Sequence, residues 1–292
     1  MDCKDNEERP DLRRHQLMML DMLSEVDAIC KKHGIKYMLF AGTALGAARH
    51  EGFIPWDDDM DVIMLRAEYE KFLISADNEL DKEKYFLQKE FSDHWPMFFS
   101  KIRMNGTACM EKFHPKDTKM HQGIYIDIFP CDNLADDKIR RKMQFAASKL
   151  VIANSLYRRG YLTNSTVKKI VMQASRLAPV KALRSFALNR GDDGSEMLHS
   201  FFGASSKYGR SIYRREWMTE LAETRFEGKI FPVSAHYDEL LTALYGDWRR
   251  VPPPEERKCK VHGALVDLDR SYEEYLERQK TMKIDVFSRS IR

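Results

Sequence analysis

The chain has little that would place it in a disulfide-rich, zinc-binding or membrane-spanning class. Its 292 residues include only five cysteines, which are dispersed and contain no C-x-x-C pair. No run approaches the ~18 consecutive apolar residues that span a bilayer. The polar first residues are unlike a secretory signal. The sequence therefore predicts a reduced, soluble protein of the cytoplasm.

A strong charge imbalance is also missing. The 48 Lys and Arg residues nearly balance the 45 Asp and Glu residues, and the formal net charge is +3. A globally basic nucleic-acid-binding protein shows a larger excess of positive charge. No nucleic-acid partner is therefore expected. The hydrophobic fraction of 43% supports a substantial core.

Helix and strand patterns alternate in the first part of the chain. Met19, Leu23, Val26 and Cys30 recur at helical spacing and form one apolar stripe. The expected elements are a helix over 11–33, a strand over 35–40, a turn or short helix up to 50, a strand over 59–65, a helix over 66–80, and strands over 85–89, 97–104 and 124–129. This order of helices and strands around one sheet is typical of an α/β or α+β domain.

The second part of the chain has a more helical pattern. Helices are expected over 136–159 and 166–189, the second one interrupted at Pro179. A hairpin over 225–233 precedes a helix for which Ser234 is a suitable N-cap. We therefore expect an α+β fold in which residues 11–135 form the catalytic core. Residues 136–292 are expected to form a mostly helical region that completes the same unit.

Three aspartates are expected to form a metal site. Side chains alternate along a strand, so Asp59 and Asp61 are expected to point the same way. Two carboxylates on one face repel each other unless a cation lies between them, and hard oxygen ligands select Mg²⁺ or Mn²⁺. Asp127 is the best third ligand because it is a lone acid in an apolar strand. The alternative is a solvated loop in which Asp57 and Asp58 cap or turn the chain.

The segment before these acids is expected to bind phosphate. Gly42 and Gly46 let the backbone approach a ligand closely, and amide groups at a helix start attract anions. Arg49 can clamp a phosphate with two hydrogen bonds. This turn, followed by the D-x-D pattern on the next strand, predicts a phosphate-transfer site.

Aromatic side chains near these motifs suggest a further contact. Trp56, Tyr245 and Trp248 can enclose a quaternary ammonium group by cation–π contact. The alternative is that these rings belong to the core.

Several polar residues have two open interpretations. His262 either reaches the donor substrate or is an ordinary surface histidine. Lys101 and Arg103 share one side of a predicted strand, where a solvated position is favoured slightly over phosphate contact. Trp56, Asp57 and His262 complete the predicted substrate-binding set.

The segment 136–190 is strongly basic. It holds 13 Lys and Arg against two Asp, a local net charge of +11, together with apolar residues such as Val167, Ile170 and Leu177. This composition is typical of a helix that lies on an anionic membrane surface. The alternative is an apolar core face with a solvated basic face.

Two motifs carry a resemblance to a known family. The motifs GTALGAARH (42–50) and IPWDDDMD (54–61) resemble the signature of the LicD family and of fukutin-related protein. The resemblance extends to residues 123–130. It returns in C-terminal blocks and spans about residues 15–275, but the middle helices match no known pattern.

The resemblance implies a nucleotidyltransferase-like mixed sheet with flanking helices and a helical C-terminal half. It also implies metal-dependent transfer of a phospho-alcohol from a CDP-alcohol, most often phosphocholine from CDP-choline, with release of CMP. The acceptor is then a hydroxyl of a cell-surface glycan such as lipopolysaccharide or teichoic acid, or of its lipid-linked precursor. By motif position, the metal ligands are Asp59, Asp61 and Asp127, and the donor-phosphate residues are Gly42, Thr43, Gly46 and Arg49.

Two other functions stay open at this point. The chain can be a true nucleotidyltransferase that moves NMP from an NTP to a small acceptor. It can also be a choline- or glycan-binding protein without catalysis. The retained aspartates argue against the second alternative, because buried charges without a function are costly.

Overall fold

The computed structural model of the chain describes residues 11–111, 120–188, 194–200, 208–209, 211–253 and 263–278. The elements of the N-terminal part are α1 (Leu12–His33), β1 (Met38–Leu39), α2 (Ala41–His50), β2 (Asp61–Leu65), α3 (Arg66–Glu79), β3 (Tyr85–Gln88), β4 (Ser100–Met104), β5 (Ala108–Glu111) and β6 (Tyr125–Asn133). The following elements are α4 (Lys138–Arg158), α5 (Thr166–Ala174), a 3₁₀ turn (Ser175–Leu177), α6 (Val180–Leu188), β7 (Met197–His199), β8 (Ile212–Arg214), α7 (Arg215–Thr219), β9 (Leu221–Phe226), β10 (Lys229–Ser234), α8 (Tyr237–Tyr245) and β11 (Gly263–Asp267).

A mixed seven-stranded sheet organises the fold. Its main path is β1-β2-β6-β4-β3, and β7 and β8 extend it from β6. Strands β2 and β6 run parallel, whereas their outer neighbours β1 and β4 are antiparallel to them. Strands β9 and β10 form a separate hairpin, and β5 pairs with β11. This mixture of helices with one mixed sheet confirms the α+β class.

The two faces of the sheet are covered differently. Val62 and Ile126 point to the main core, which also contains the buried stripe of α1 and the inner side of α3. Ile63 on the next position of β2 belongs to a second cluster with Met38 and Phe40. Because side chains alternate along a strand, Asp61 and Asp127 lie on this second face of the sheet. The sheet therefore separates the aspartates from α1 and α3.

Helix α1 follows directly from its sequence. Its buried residues include Met19, Leu23, Val26 and Cys30, the stripe that the spacing predicts. Three basic residues occupy its last turn, where they are favourable beside the negative end of the helix dipole. The helix ends at Gly34, whose φ of 61° is the left-handed conformation that glycine adopts without strain.

Several predicted boundaries differ from the structure. Strand β1 has only two residues, and β2 begins at Asp61, so Asp59 precedes the strand and is not part of it. Ser234 is not the N-cap of α8, because the N-cap position is occupied by His236 and the helix begins at Tyr237. The Ser234 hydroxyl instead accepts a hydrogen bond from the His236 N–H. The short elements β5, β7, β8, α7 and β11 were not predicted, because elements of three to five residues give little periodic signal.

The main core contains side chains from both predicted regions. Leu23 and Ile126 come from the first region, and Phe226 and Leu241 come from the second. The division near residue 135 stays a prediction. None of the described helices is long and apolar enough to cross a membrane.

The loop between α2 and the aspartates is held from two sides. A Cβ on Gly46 would lie 2.4 Å from the carbonyl oxygen of Gly52. The loop can therefore pack this closely against α2 only because residue 46 has no side chain. From the other side, Glu227 in the turn of the β9–β10 hairpin accepts the Phe53 N–H at 3.1 Å and pairs with Arg13. The hairpin thus fixes the approach of the chain to Asp57 and Asp59.

Gly46→Ala is expected to destabilise the protein, because the added methyl group displaces the loop backbone. Overpacking of this kind costs ~1–3 kcal/mol. Gly194→Ala is the matched control, since a Cβ there meets no described atom within 4 Å. Chemical denaturation of both variants measures the difference. A Gly46→Ala variant as stable as Gly194→Ala would contradict the close approach.

Candidate active site

The site is a row of charged residues across three neighbouring strands. The parallel pairing of β2 with β6 sets Asp61 opposite Asp127, and the antiparallel pairing of β4 with β6 sets Lys101 opposite Asp127. All three residues are buried. The Lys101 Nζ lies 2.8 Å from Asp127 Oδ1. Sheet register therefore fixes an acid–acid–base row.

Asp61 lies in the most acidic part of this row. Burial raises its pKa well above the ordinary value of 3.8, and the negative charges of Asp59, Asp127 and Asp57 raise it further. Lys101 opposes the rise. Burial likewise raises the pKa of Asp127, against the effect of its ion pair with Lys101. The three predicted ligands thus interact electrostatically, although Asp59 lies just before the strand.

Metal binding by these residues has chemical support but stays a prediction. Within the described residues, no group of three or more His, Cys, Asp or Glu side chains is arranged so that it could hold a metal ion. The donor chemistry nevertheless fits Mg²⁺ or Mn²⁺, because carboxylate oxygens are hard ligands and the negative charges of Asp59 and Asp127 act on the buried Asp61.

Lys101 lies in an aromatic enclosure that the sequence reading missed. It is 3% exposed, so the favoured prediction of a solvated face is wrong for it, and it is wrong for the buried Arg103 as well. Its ammonium lies 3.2 Å from the ring centroid of Tyr125 and 5.4 Å from that of Trp95. Burial lowers the pKa of Lys101, and Asp127 opposes this change.

A second ion cluster continues from Lys101. Glu111 Oε1 lies 3.8 Å from Lys101 Nζ and 3.6 Å from an Arg103 nitrogen, and the other oxygen of Glu111 pairs with Arg159. Lys101, Arg103 and Arg159 therefore share two acids, Glu111 and Asp127. Positive charge prevails on this side of Asp127, whereas negative charge prevails on the side of Asp61.

The start of α2 supports the acidic side directly. The Thr43 hydroxyl accepts the Asp61 N–H at 2.8 Å, which ties the helix to the first residue of β2. A Cβ on Gly42 would lie 2.9 Å from Asp57 Oδ2, so the missing side chain lets this carboxylate approach the helix. Gly42 and Thr43 thus lie at the aspartates, and their contact with phosphate stays a prediction.

Gly46 and Arg49 lie further along the same helix. The segment that carries them is a helix of 10 residues, so Arg49 is about 10 Å beyond Gly42 along the axis. Its guanidinium donates to the carbonyl oxygens of Trp248 at 3.1 Å and Arg250 at 3.3 Å. The structure therefore does not bring Arg49 and Gly42 together, and the phosphate clamp by Arg49 stays a prediction.

The three aromatic candidates have different surroundings. Desolvation of the Tyr245 hydroxyl and the charges of Asp61, Asp57 and Asp59 raise its pKa, although the residue as a whole is 46% exposed. Trp248 is buried and donates to Asp238, as its alternative role in the core predicts. Trp56 packs edge-on against His50, with ring centroids 6.4 Å apart. His262 lies outside the described residues.

Asp58 is a further residue that sequence reasoning underrated. It is the buried member of the Asp57–Asp59 run, whereas its two neighbours are partly exposed. Burial raises the pKa of the Cys109 thiol, the charge of Arg103 opposes this rise, and the negative charge of Asp58 adds to it. The available signal was the alternation of side chains in an extended segment. Asp58 lies two residues before Met60, so both side chains are expected on the same, buried side.

A comparison with protein families matches the part of the chain that carries the site. Residues 34–154 match the family model described as "LicD/FKTN/FKRP, nucleotidyltransferase domain", and this segment contains the whole acid–acid–base row. The match thus defines the class of this domain. The matched segment also includes the two motifs, at residues 42–50 and 54–61, that carry the resemblance. Residues 34–154 of the chain are thus recognised as a domain of the LicD family type.

Individual relatives extend the similarity beyond that segment. The chain is 29% identical over 273 residues to the lipopolysaccharide cholinephosphotransferase LicD of Haemophilus influenzae. The aligned segment covers 85% of this chain and 94% of the relative. It is also 41% identical over 46 residues to uncharacterised proteins of Rickettsia prowazekii and Rickettsia typhi, or 16% of this chain.

Asp61→Asn is expected to raise the melting temperature of the metal-free protein at neutral pH. A raised pKa means that the folded state binds the proton more tightly than the unfolded state, so stability is lost as pH rises through the folded pKa. The gain from Asn should therefore be largest at neutral pH and disappear below the ordinary value of 3.8. Thermal melts in the presence of a chelator across this pH range measure it.

Asp127→Asn is expected to have the opposite effect at neutral pH. This variant leaves the buried Lys101 without its ion partner at 2.8 Å. Removing one partner of a buried pair costs about 3–5 kcal/mol. The same melts compare the two variants. Equal gains in both would show that Lys101 does not balance Asp127.

Proposed function

We propose that this protein transfers a phospho-alcohol from a CDP-alcohol to a hydroxyl of a glycan or of its lipid-linked precursor, with release of CMP. Phosphocholine from CDP-choline is the leading donor. The observation that carries the proposal is the buried Asp61–Asp127 pair, held in register by parallel strands within the segment that matches the family model. The similarity to the lipopolysaccharide cholinephosphotransferase of Haemophilus influenzae supports the choice of phosphocholine.

We assign Mg²⁺ or Mn²⁺ to Asp59, Asp61 and Asp127. When bound, such an ion lowers the pKa of an acceptor hydroxyl and neutralises charge on the leaving group. Phosphoryl-type transfer depends mainly on positioning and electrostatics. The protein provides positioning through Thr43, which fixes the backbone of Asp61, and through Lys101, which holds Asp127.

We assign the charged surroundings to the two ends of the donor. The cluster of Lys101, Arg103 and Arg159 has the positive sign that the phosphates of a CDP-alcohol require. Tyr245, whose pKa the charges of the aspartates raise, suits a cationic alcohol such as choline. We assign the proposed reaction to the cytoplasm, the location that the sequence predicts.

Nucleotide release is the direct test of the reaction. The protein is incubated with Mg²⁺ and, separately, with CDP-choline, CDP-ethanolamine, CDP-glycerol and CDP-ribitol, and CMP is quantified by chromatography. Slow hydrolysis of one donor to CMP is expected even without an acceptor, because water can replace the hydroxyl. Parallel reactions with NTPs are assayed for pyrophosphate. Pyrophosphate release without CMP would instead support a true nucleotidyltransferase.

The aspartates are tested by substitution under the same conditions. Asp59→Asn, Asp61→Asn and Asp127→Asn are each expected to lower the rate on the order of a thousandfold, since ~1.4 kcal/mol of lost transition-state stabilisation is tenfold. Asp77→Asn is the matched control, because Asp77 lies on the exposed side of α3 and pairs with Lys89. Near-normal turnover in any of the three site variants removes that residue from the site.

A further inference from the structure

Helix α5 has its apolar side turned away from the protein. Val167, Ile170 and Val171 are all exposed, and their spacing places them on one stripe. Met172, which lies about 100° around the helix from Val171 and about 140° from Val167, is the buried residue of this helix. Leu177, in the following 3₁₀ turn, is 92% exposed. An aliphatic stripe on the outside of a helix is the reverse of ordinary packing.

Helix α4 continues this surface. Ile139 is 70% exposed, and Met143 and Leu150 are exposed on the same stripe. Tyr157 follows Ile139 by 18 residues, or five helical turns, and therefore lies on the same side of α4. The Arg176 guanidinium lies 5.3 Å from the Tyr157 ring centroid. This contact brings the 3₁₀ turn, with Leu177, to the α4 stripe. The exposed aliphatic residues of these elements are together called here the α4–α5 face: Ile139, Met143, Leu150, Val167, Ile170, Val171 and Leu177.

The charge around this face has one sign. From Lys138 to Leu188 the chain contains 12 Lys and Arg and no Asp or Glu. Lys142 lies beside Met143, Lys169 beside Ile170, and Arg176 beside Leu177, all with exposed side chains. Three of these basic residues pair with acids from other elements, Arg158 with Asp93, Arg159 with Glu111 and Arg184 with Glu90, and the rest leave the segment with a large excess of positive charge.

We propose that the α4–α5 face docks on the surface of a lipid bilayer that contains anionic lipids. The aliphatic side chains enter the boundary between headgroups and acyl chains, and the Lys and Arg side chains lie at the anionic headgroups. The fold holds the helices in the plane of such a surface.

Charge decides between this occupant and the others. A symmetric contact with a second copy would bring two such basic faces together, and like charges repel. Nucleic acid offers the right charge, but bases stack on aromatic rings and have little use for exposed Ile, Val and Leu side chains. An anionic bilayer satisfies both the aliphatic and the basic residues. The proposal requires neither donor nor metal and is independent of the proposed reaction.

Vesicle co-sedimentation of the full chain tests the proposal. Vesicles of phosphatidylcholine alone are compared with vesicles of phosphatidylcholine and phosphatidylglycerol, each at low and high salt. We expect binding to the anionic vesicles that weakens at high salt, because screening reduces the attraction. Hydrogen exchange of the unmodified protein should show protection at residues 138–188 when vesicles are added. Absence of sedimentation at low salt, or protection elsewhere only, overturns the proposal.

Matched variants distinguish vesicle binding through the α4–α5 face from nonspecific binding by other parts of the surface. Val167→Ser with Leu177→Ser should lower vesicle affinity at least about tenfold, given ~0.8 kcal/mol for each buried CH₂. Ile74→Ser is the apolar control, because Ile74 is 67% exposed on α3. Lys168→Glu with Lys169→Glu should weaken binding by a similar factor at ~1 kcal/mol per basic residue. Lys71→Glu with Lys82→Glu, also on the surface, is the charge control.

Two further readouts complete the design. Thermal melts establish that each variant is folded, as expected for substitutions of exposed side chains. Light scattering of the unmodified protein without lipid establishes its oligomeric state. Equal loss of binding in test and control pairs overturns the assignment of the face. A dimer that Val167→Ser with Leu177→Ser converts to monomer shows that a second copy is the occupant and also overturns it.

Discussion

The site depends on the register of two parallel strands. Once β2 and β6 pair with Asp61 opposite Asp127, two carboxylates are buried side by side. Such a pair is unfavourable without a cation. Lys101, delivered by β4 in the same register, balances Asp127 and leaves Asp61 with the acids of the preceding loop. A shift of one residue in either strand would turn these charges into the apolar core.

The surrounding elements maintain this arrangement at a distance. Thr43 ties α2 to Asp61, and Gly42 and Gly46 let α2 approach Asp57 and the loop at Gly52. Glu227, far away in sequence, holds that loop through the Phe53 N–H. Residues of the motif that look like ligand contacts in the sequence therefore also have a structural task. Their substitution affects both the loop and any ligand.

Much of this could be predicted from sequence because the signals were local. Alternation placed Asp61 and Asp127 on strands, helical spacing gave α1, and Gly34 marked its end. Lys101 was misjudged because its partner Asp127 is remote in sequence, and only sheet pairing brings the two together. Arg49 was grouped with Gly42 because the sequence did not decide between turn and helix. The roles of tertiary contacts such as Glu227 have no local signal.

The row of charges also explains why one lysine does not complete the site. Lys101 lies between Asp127 and Glu111, and Arg103 and Arg159 already share Glu111. Positive charge therefore accumulates beyond Asp127, while Asp57, Asp59 and Asp61 stay together on the other side. The aromatic rings around Lys101 hold its ammonium where it is. A sheet that fixes acids and bases on opposite sides of one carboxylate concentrates negative charge around Asp61, which is the side where an added cation would be most favourable.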